Sequence, residues 1–279
     1  MLVRIIGVGD NVCDKYRTLS RMFPGGQALN VAVYGKMQGW DSAFLGVFGR
    51  DLVAQHVKKN LDTLEIDRSR CREYDGENGY AVVDLVDGDR VFVTSNKGGA
   101  LREHPLNFDR DDLEYLSGFD LIHTSNNSYL DNQLPKLAEL PGLLSYDFSK
   151  SWMDEKRREA VCPYLDAAFL SCSDLKDEQV EELVRSMYMQ GCPLVLATMG
   201  ERGALLWNGT RMVRHRPTLV KAVDTLGAGD SFAAGFLTTY LALHDFSEEG
   251  LRTCMEAGAA LSVRICMVQG AFGYGTAMV

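Results

Sequence analysis

The sequence predicts an α/β fold of three layers. A mainly parallel central sheet lies between helices, and a small β-sheet sits beside it. Three observations predict this. Beyond about residue 98 the apolar pattern switches repeatedly between extended and helical periods. The extended segments there are apolar almost throughout, as in Pro193-Leu194-Val195-Leu196-Ala197, and strands buried on both faces read this way. The first 98 residues instead hold short segments that alternate with polar residues, as a sheet with one solvated face does.

Taken in order, residues 1–9 read as a buried first strand, 27–37 and 54–64 as helices, and 79–86 and 90–94 as two strands. Asp87-Gly88-Asp89 between those strands is a turn by composition. With residues 11–17 they make a small antiparallel sheet, either a lid on the large unit or an edge extension of its sheet. Strands follow at 119–124, 143–148, 167–171 and 193–198, with helices at 130–140 and 177–190. A hairpin pairs 203–207 with 211–215 across Asn208-Gly209. An extended run at 219–223 leads to two closing helices, 230–243 and 248–265. Residues 1–279 thus form one unit, with lid segments near 11–17 and 79–94.

The bulk properties exclude several classes. A 279-residue chain with 46% hydrophobic residues can bury a large core. A net charge of -9 lacks the basic footprint that nucleic acid requires. No apolar run approaches the ~18 residues of a membrane span, and the first nine residues have the wrong flanks for a signal peptide. Seven scattered cysteines, none in C-x-x-C, read as reduced core residues of a cytoplasmic protein.

The chemistry concentrates in Asp224-Thr225-Leu226-Gly227-Ala228-Gly229-Asp230. A glycine turn opening a helix leaves the amides of Gly227, Ala228 and Gly229 free at the positive end of the helix dipole, an anion site. Asp230 stands at the same end. Anion hole and carboxylate together suit moving a phosphoryl group onto a hydroxyl. A capped helix is the plain structural alternative. In Pro24-Gly25-Gly26-Gln27-Ala28-Leu29-Asn30, paired glycines allow close approach to a ligand, and Asn30 can donate to and accept from sugar hydroxyls. Asp10 and Asp14 follow the first strand, where open parallel sheets bind ligands. Thr198-Met199-Gly200-Glu201-Arg202-Gly203 lacks G-x-G-x-x-G and runs into a strand, so it is no dinucleotide fingerprint.

Taken together, Gly-Gly-x-x-x-Asn at 25–30 and the 224–230 turn resemble the two signatures of the PfkB (ribokinase-like) sugar kinases, and the resemblance spans essentially the whole chain. It implies a ribokinase-like fold and transfer of the γ-phosphoryl of ATP to a sugar's primary hydroxyl. Asp230 would be the base, with Gly227, Ala228 and Gly229 as anion hole. Asp10, Asp14, Gly25, Gly26 and Asn30 would hold the sugar, with Arg90 closing from the lid. Thr198, Gly200, Gly203 and Thr225 would form the nucleotide side. The family's N-x-x-E, associated with Mg2+, is replaced: Ser173 stands at its Asn and Lys176 at its Glu. That leaves Asp174, Asp177 or Glu178 to hold the metal's waters. The resemblance also implies ATP and Mg2+ as cofactors, with a monovalent cation such as K+ and a homodimer through the lid as further possibilities. Gly9-Asp10-Asn11 with Asp14 and Tyr16, Asp89-Arg90-Val91-Phe92, and Tyr146-Asp147-Phe148-Ser149 with Trp152 look most like the fructosamine-kinase branch. The expected acceptor is the 6-hydroxyl of fructoselysine or a related fructosamine. Fructokinase, ribokinase or 2-keto-3-deoxygluconate kinase activity is the alternative within the family, and a non-catalytic sugar-binding regulator the alternative outside it.

Overall fold

The computed structural model describes residues 3–86, 89–218 and 220–279, without the side chains of residues 85, 86, 89 and 90. Its strands are β1 (Arg4–Gly9), β2 (Val12–Tyr16), β3 (Arg21–Gly25), β4 (Asp41–Phe48), β5 (Arg72–Glu73), β6 (Tyr80–Val86), β7 (Asp89–Ser95), β8 (Leu121–Ser125), β9 (Leu143–Ser149), β10 (Ala167–Ser171), β11 (Leu194–Thr198), β12 (Ala204–Trp207), β13 (Met212–His215) and β14 (Thr276–Ala277). The helices are α1 (Gln27–Met37), α2 (Leu52–Thr63), α3 (Ala100–Glu103), α4 (Arg110–Leu116), α5 (Leu134–Leu137), α6 (Glu155–Val161), α7 (Asp177–Met189), α8 (Ala228–Leu243) and α9 (Glu248–Ile265).

The large sheet runs β13-β12-β11-β10-β9-β8-β1-β4-β5. It is parallel from β11 to β5, while β12 and β13 form an antiparallel edge. Strand alternation sends successive side chains to opposite faces. Ile6 and Val8 enter a core with Leu116 of α4, Val161 of α6 and Val184 of α7. Ile5 enters another with Phe236 of α8 and Cys254 of α9, and Phe44 and Phe48 pack on α1 and α2. Helices therefore cover both faces, as the apolar strands predict. Gly7 lets α1 approach β1 closely: a Cβ there would lie 2.0 Å from the carbonyl oxygen of Ala28. Among the described residues no helix is long and apolar enough to cross a membrane.

The second sheet runs β14-β3-β2-β6-β7 and shares no paired neighbour with the first. It is a separate sheet and not an edge extension. It is also mixed where the sequence suggested antiparallel: β2 pairs with β6 in parallel. The chain between them passes through α1, β4 and α2 of the body, and such a crossover returns the strand in the same direction. Two unpredicted short segments, β3 and β14, complete the sheet. The turn residues Asp87 and Gly88 lie outside the described residues. The helix expected at 130–140 shrinks to a 3-10 turn, Asp131–Gln133, and the four residues of α5. Pro135 allows only a first turn and Pro141-Gly142 blocks continuation. The extended run expected at 219–223 is no strand over its described residues, 220–223. Val220 and Val223 are exposed, and the amides of Val223 and Asp224 donate to the Cys266 carbonyl at the end of α9.

Candidate active site

Two cavities compete for attention, and the sheet's polarity decides between them. The larger, about 720 Å3, opens at the amino ends of β8 to β11, against Phe119, Asp120, Leu143 and Leu194. The other, about 430 Å3, lies at the carboxyl ends and touches Asp10, Asp14, Gly26, Asn30 and Asp230. Parallel sheets bind ligands at their carboxyl ends, so the second is the candidate site.

The turn that closes it hangs from α9 rather than from a strand. Gly227 takes a left-handed φ of 76° at the N-cap of α8, and a Cβ there would lie 2.1 Å from the Tyr34 hydroxyl oxygen. Only glycine fits. The Ala228 amide is not free as expected, because it donates to the Thr225 carbonyl at 3.2 Å. Among the described residues the amides of Gly227 and Gly229 have no such partner. These two amides stand at the positive end of the α8 dipole, where an anion would be favoured.

Asp230 sits in the first turn of α8, 9% exposed. Asn30 of α1 donates from Nδ2 to its Oδ2 at 2.6 Å. The Asn30 Oδ1 is buried and has no hydrogen-bond partner among the described residues, which leaves its acceptor capacity unspent. Asp10 does different work from that expected. Its carboxylate accepts from the amides of Gln27 (2.7 Å) and Ala28 (3.1 Å) and from the hydroxyls of Ser125 (2.8 Å) and Ser128 (3.1 Å). Two of these four bonds hold the start of α1 and two come from the end of β8 and the loop after it. Asp14 is buried on β2 and faces the cavity. Gly25 and Gly26 make room beside them: a Cβ at Gly25 would lie 2.9 Å from an Asp14 carboxylate oxygen, and one at Gly26 2.7 Å from the Asp10 carbonyl. Arg90 is on β7, paired with Leu85, and its side chain lies outside the described residues.

Other wall residues were missed. Asn127 and Tyr129 line the cavity just beyond the end of β8, and Asn127 Nδ2 donates to Gln27 Oε1 at 2.8 Å. The strand-end rule could have found them, since Asn126-Asn127-Ser128-Tyr129 follows β8 directly. Asp147, noted only as a family marker, is buried at the end of β9. The β9–β10 register shifts there, and Ser149 is left-handed at φ 47°. Ser149 N donates to the Asp147 carboxylate at 2.6 Å. Burial raises its pKa from 3.8 to about 7; the nearby charges of Asp230 and Asp10 also raise it, against the lowering effect of bonds from Ser149 and Gln27.

On the other side of the turn, Thr198, Gly200 and Gly203 share a cavity of about 160 Å3 with Ala228, Gly229 and Phe232. Thr225 does not line it; its part is the carbonyl that closes the turn. The three acids expected near a metal do not come together. Lys150 binds Asp174 at 2.5 Å and holds its carboxyl below the usual range. Asp177 is taken by Arg202 (2.5 Å) and Arg214 (3.0 Å). Among the described residues no three His, Cys, Asp or Glu side chains form a metal-holding group. Asp177 and Glu178 instead stand in the first turn of α7, where the helix dipole favours acids.

The model of the pfkB family of carbohydrate kinases matches residues 15–272. The chain belongs to this family. The enzyme is an ATP-dependent carbohydrate kinase, and membership implies ATP and a divalent metal. It is 44% identical over 276 residues to "Fructosamine kinase FrlD" of Bacillus subtilis, covering 98% of this chain and 94% of that one. It is 33% identical over 230 residues to "Fructoselysine 6-kinase" of Escherichia coli, covering 82% and 86%. The Arabidopsis thaliana ribokinase solved with ribose and ATP superposes with a TM-score of 0.82 at 19% identity, over 98% of this kinase and 95% of that chain. That superposition bears out the ribokinase-like fold.

The buried Asp147 of the kinase has a pH signature. Its ionised form is disfavoured in the folded state. The stability this group contributes is full below the ordinary value of 3.8 and is lost as pH rises to about 7. We expect Asp147→Asn to gain in Tm relative to wild type between about pH 4 and about pH 8. Thermal unfolding at each pH reads this, and a constant difference would contradict it.

Proposed function

We propose that the kinase phosphorylates the 6-hydroxyl of a fructosamine such as fructoselysine. The observation that carries this reading is the 44% identity, over nearly the whole chain, to a relative named a fructosamine kinase. The site chemistry supports it. A fructosamine is a ketose with a cationic amine on its first carbon, and Asp10, Asp14 and Asp230 all touch the cavity. An acidic sugar would call for cations, and Lys97 is the only Lys or Arg among the described residues lining it.

In this reading Asp230 orients the acceptor hydroxyl through the grip of Asn30 and takes its proton late, because a carboxylate is a weak base toward an alcohol. The amides of Gly227 and Gly229 meet the developing negative charge. Asp14 and Asn30 Oδ1 receive sugar hydroxyls, Gly25 and Gly26 leave room for the ring, and Asp10 holds α1 in place. Arg90 closes from the second sheet. Thr198, Gly200 and Gly203 pack against the nucleotide. The divalent ion is Mg2+, held chiefly by phosphate oxygens; Asp174 and Asp177 are engaged by cations, so no step is assigned to them. A monovalent ion such as K+ assists, to be read by replacing K+ with Na+ in the assay. Seven free cysteines suit a reducing cytoplasm, which cell fractionation checks.

Asp230→Asn is expected to lower kcat by about 10²–10⁴-fold or more, with ATP binding kept. Near wild-type turnover in that variant would remove Asp230 from its role. Rates for fructoselysine, fructose, ribose and 2-keto-3-deoxygluconate measured side by side test the substrate. A plain or acidic sugar preferred by about tenfold in kcat/KM, roughly 1.4 kcal/mol of transition-state preference, sinks the fructosamine reading and leaves the kinase.

The second sheet is a lid over the sugar, and its exposed residues Val91, Phe92 and Val93 offer a contact for a second copy. Hydrogen exchange should slow in β2 and β6 when sugar binds, and in β7 when protein concentration rises. Exchange indifferent to sugar argues against a lid; exchange indifferent to concentration argues against a dimer.

A further inference from the structure

The carboxylate that opens the phosphoryl turn is held by the second sheet. Asp224 is 5% exposed. Its Oδ2 accepts from the Tyr16 hydroxyl at 2.6 Å and from the Gly270 amide at 3.0 Å, and its Oδ1 accepts from Leu226 N at 2.9 Å. Tyr16 is the last residue of β2 and is fully buried. Its ring stands edge-on to Phe23 at 5.3 Å and belongs to a small apolar cluster with Val83 against Leu226 of the turn.

The strand's alternation gives this contact its meaning. Residues two apart on a strand share a face, so Val12, Asp14 and Tyr16 point the same way. Val12 and Asp14 line the sugar cavity, and Tyr16 continues the row to Asp224. Lys15 and Arg17 project to other partners, the Val279 carbonyl and Asp84. One face of one short strand thus carries both a sugar-side carboxylate and the hydroxyl that grips the anion-site turn.

The turn has a second anchor that does not involve this sheet. The amides of Val223 and Asp224 bond to Cys266, and Tyr34 and Ala271 pack on Gly227. Losing the Tyr16 bond would leave the turn folded but no longer tied to β2.

We propose that the Tyr16 hydroxyl is a positioning group for phosphoryl transfer, tying the placement of the Gly227 and Gly229 amides to the position of the strand that holds Asp14. Sugar binding and assembly of the anion site are then one event. This rests on the assignment of the 224–230 turn as the anion site. It accounts for why a buried carboxylate outside the reacting groups is given a hydroxyl from the other sheet.

The test is a double-mutant cycle on Tyr16→Phe and Asp224→Asn, with binding measured alongside rates. Tyr16→Phe keeps the ring and its packing, and Asp224→Asn approaches the same bond from the other side. We expect Tyr16→Phe to lower kcat about 10–100-fold, the effect of one hydrogen bond to a charged group. KM for the sugar should change less than about threefold, as for an interaction expressed in the transition state. The double variant should be no slower than the slower single, since both remove one bond. Sugar should tighten ADP binding in the wild type, and this coupling should shrink in Tyr16→Phe. A Tyr16→Phe enzyme that loses Tm but keeps kcat and the coupling within about twofold overturns the proposal. So does a double variant whose losses multiply. The cycle runs on any sugar the enzyme accepts, so a wrong substrate assignment shows in the wild-type rates and not in the coupling.

Discussion

Helix α1 has no side chain of its own at its N-cap, and the site depends on how that deficiency is met. Gly26 holds the N-cap at φ 117°, a conformation glycine adopts freely. The exposed amides of the first turn need acceptors, and Asp10 supplies them from the end of β1. Ser125, the last residue of β8, and Ser128 just past it fix the carboxylate in turn. With its first turn fixed against two strand ends, α1 carries Asn30 to Asp230 at the head of α8. Asp10 thus joins one helix N-terminus to two strand ends, and Asn30 extends the link to the Asp230 carboxylate at a second helix N-terminus.

The electrostatics of the cavity follow from the same convergence. Asp10, Asp147 and Asp230 are all buried within reach of each other's charge. Such a pocket attracts hydrogen-bond donors and cations from its ligand. On the other side of Asp230 lies the positive end of the α8 dipole. The site has a negative half and a positive half separated by a single helical turn, which suits a neutral or cationic acceptor meeting a phosphate.

The second sheet enters this arrangement at two places: Asp14 borders the cavity and Tyr16 holds Asp224. Both lie on β2, a strand of five residues, and both depend on its parallel pairing with β6. A one-residue slip in that register would turn both side chains away.

The sequence by itself determined the layered fold and the points where chemistry gathers. Short apolar runs at 167–170 and 194–197 read as buried strands, and glycine at 26 and 227 marks backbone that other residues fit poorly. Those are local properties, set by period and by steric limits within a few residues. The residues around Asp230 were legible because Gly227 and the carboxylate lie together in the chain. Tertiary structure alone decided what the polar residues do. Asp10 read as a sugar ligand; it borders the cavity, and its carboxylate also bonds groups 17 and 118 residues away. Asp174, Asp177 or Glu178 was expected to hold a metal's waters; Asp174 pairs with Lys150, and Asp177 with Arg202 and Arg214. The run at 219–223 read as a strand and, over 220–223, binds the end of a helix instead. Asp147 feels the charges of Asp230 and Asp10 only because the fold brings distant strand and helix ends together. A side chain's spare hydrogen-bonding capacity depends on which distant groups reach it first, and the order of neighbours in space is not written in the order of neighbours along the chain.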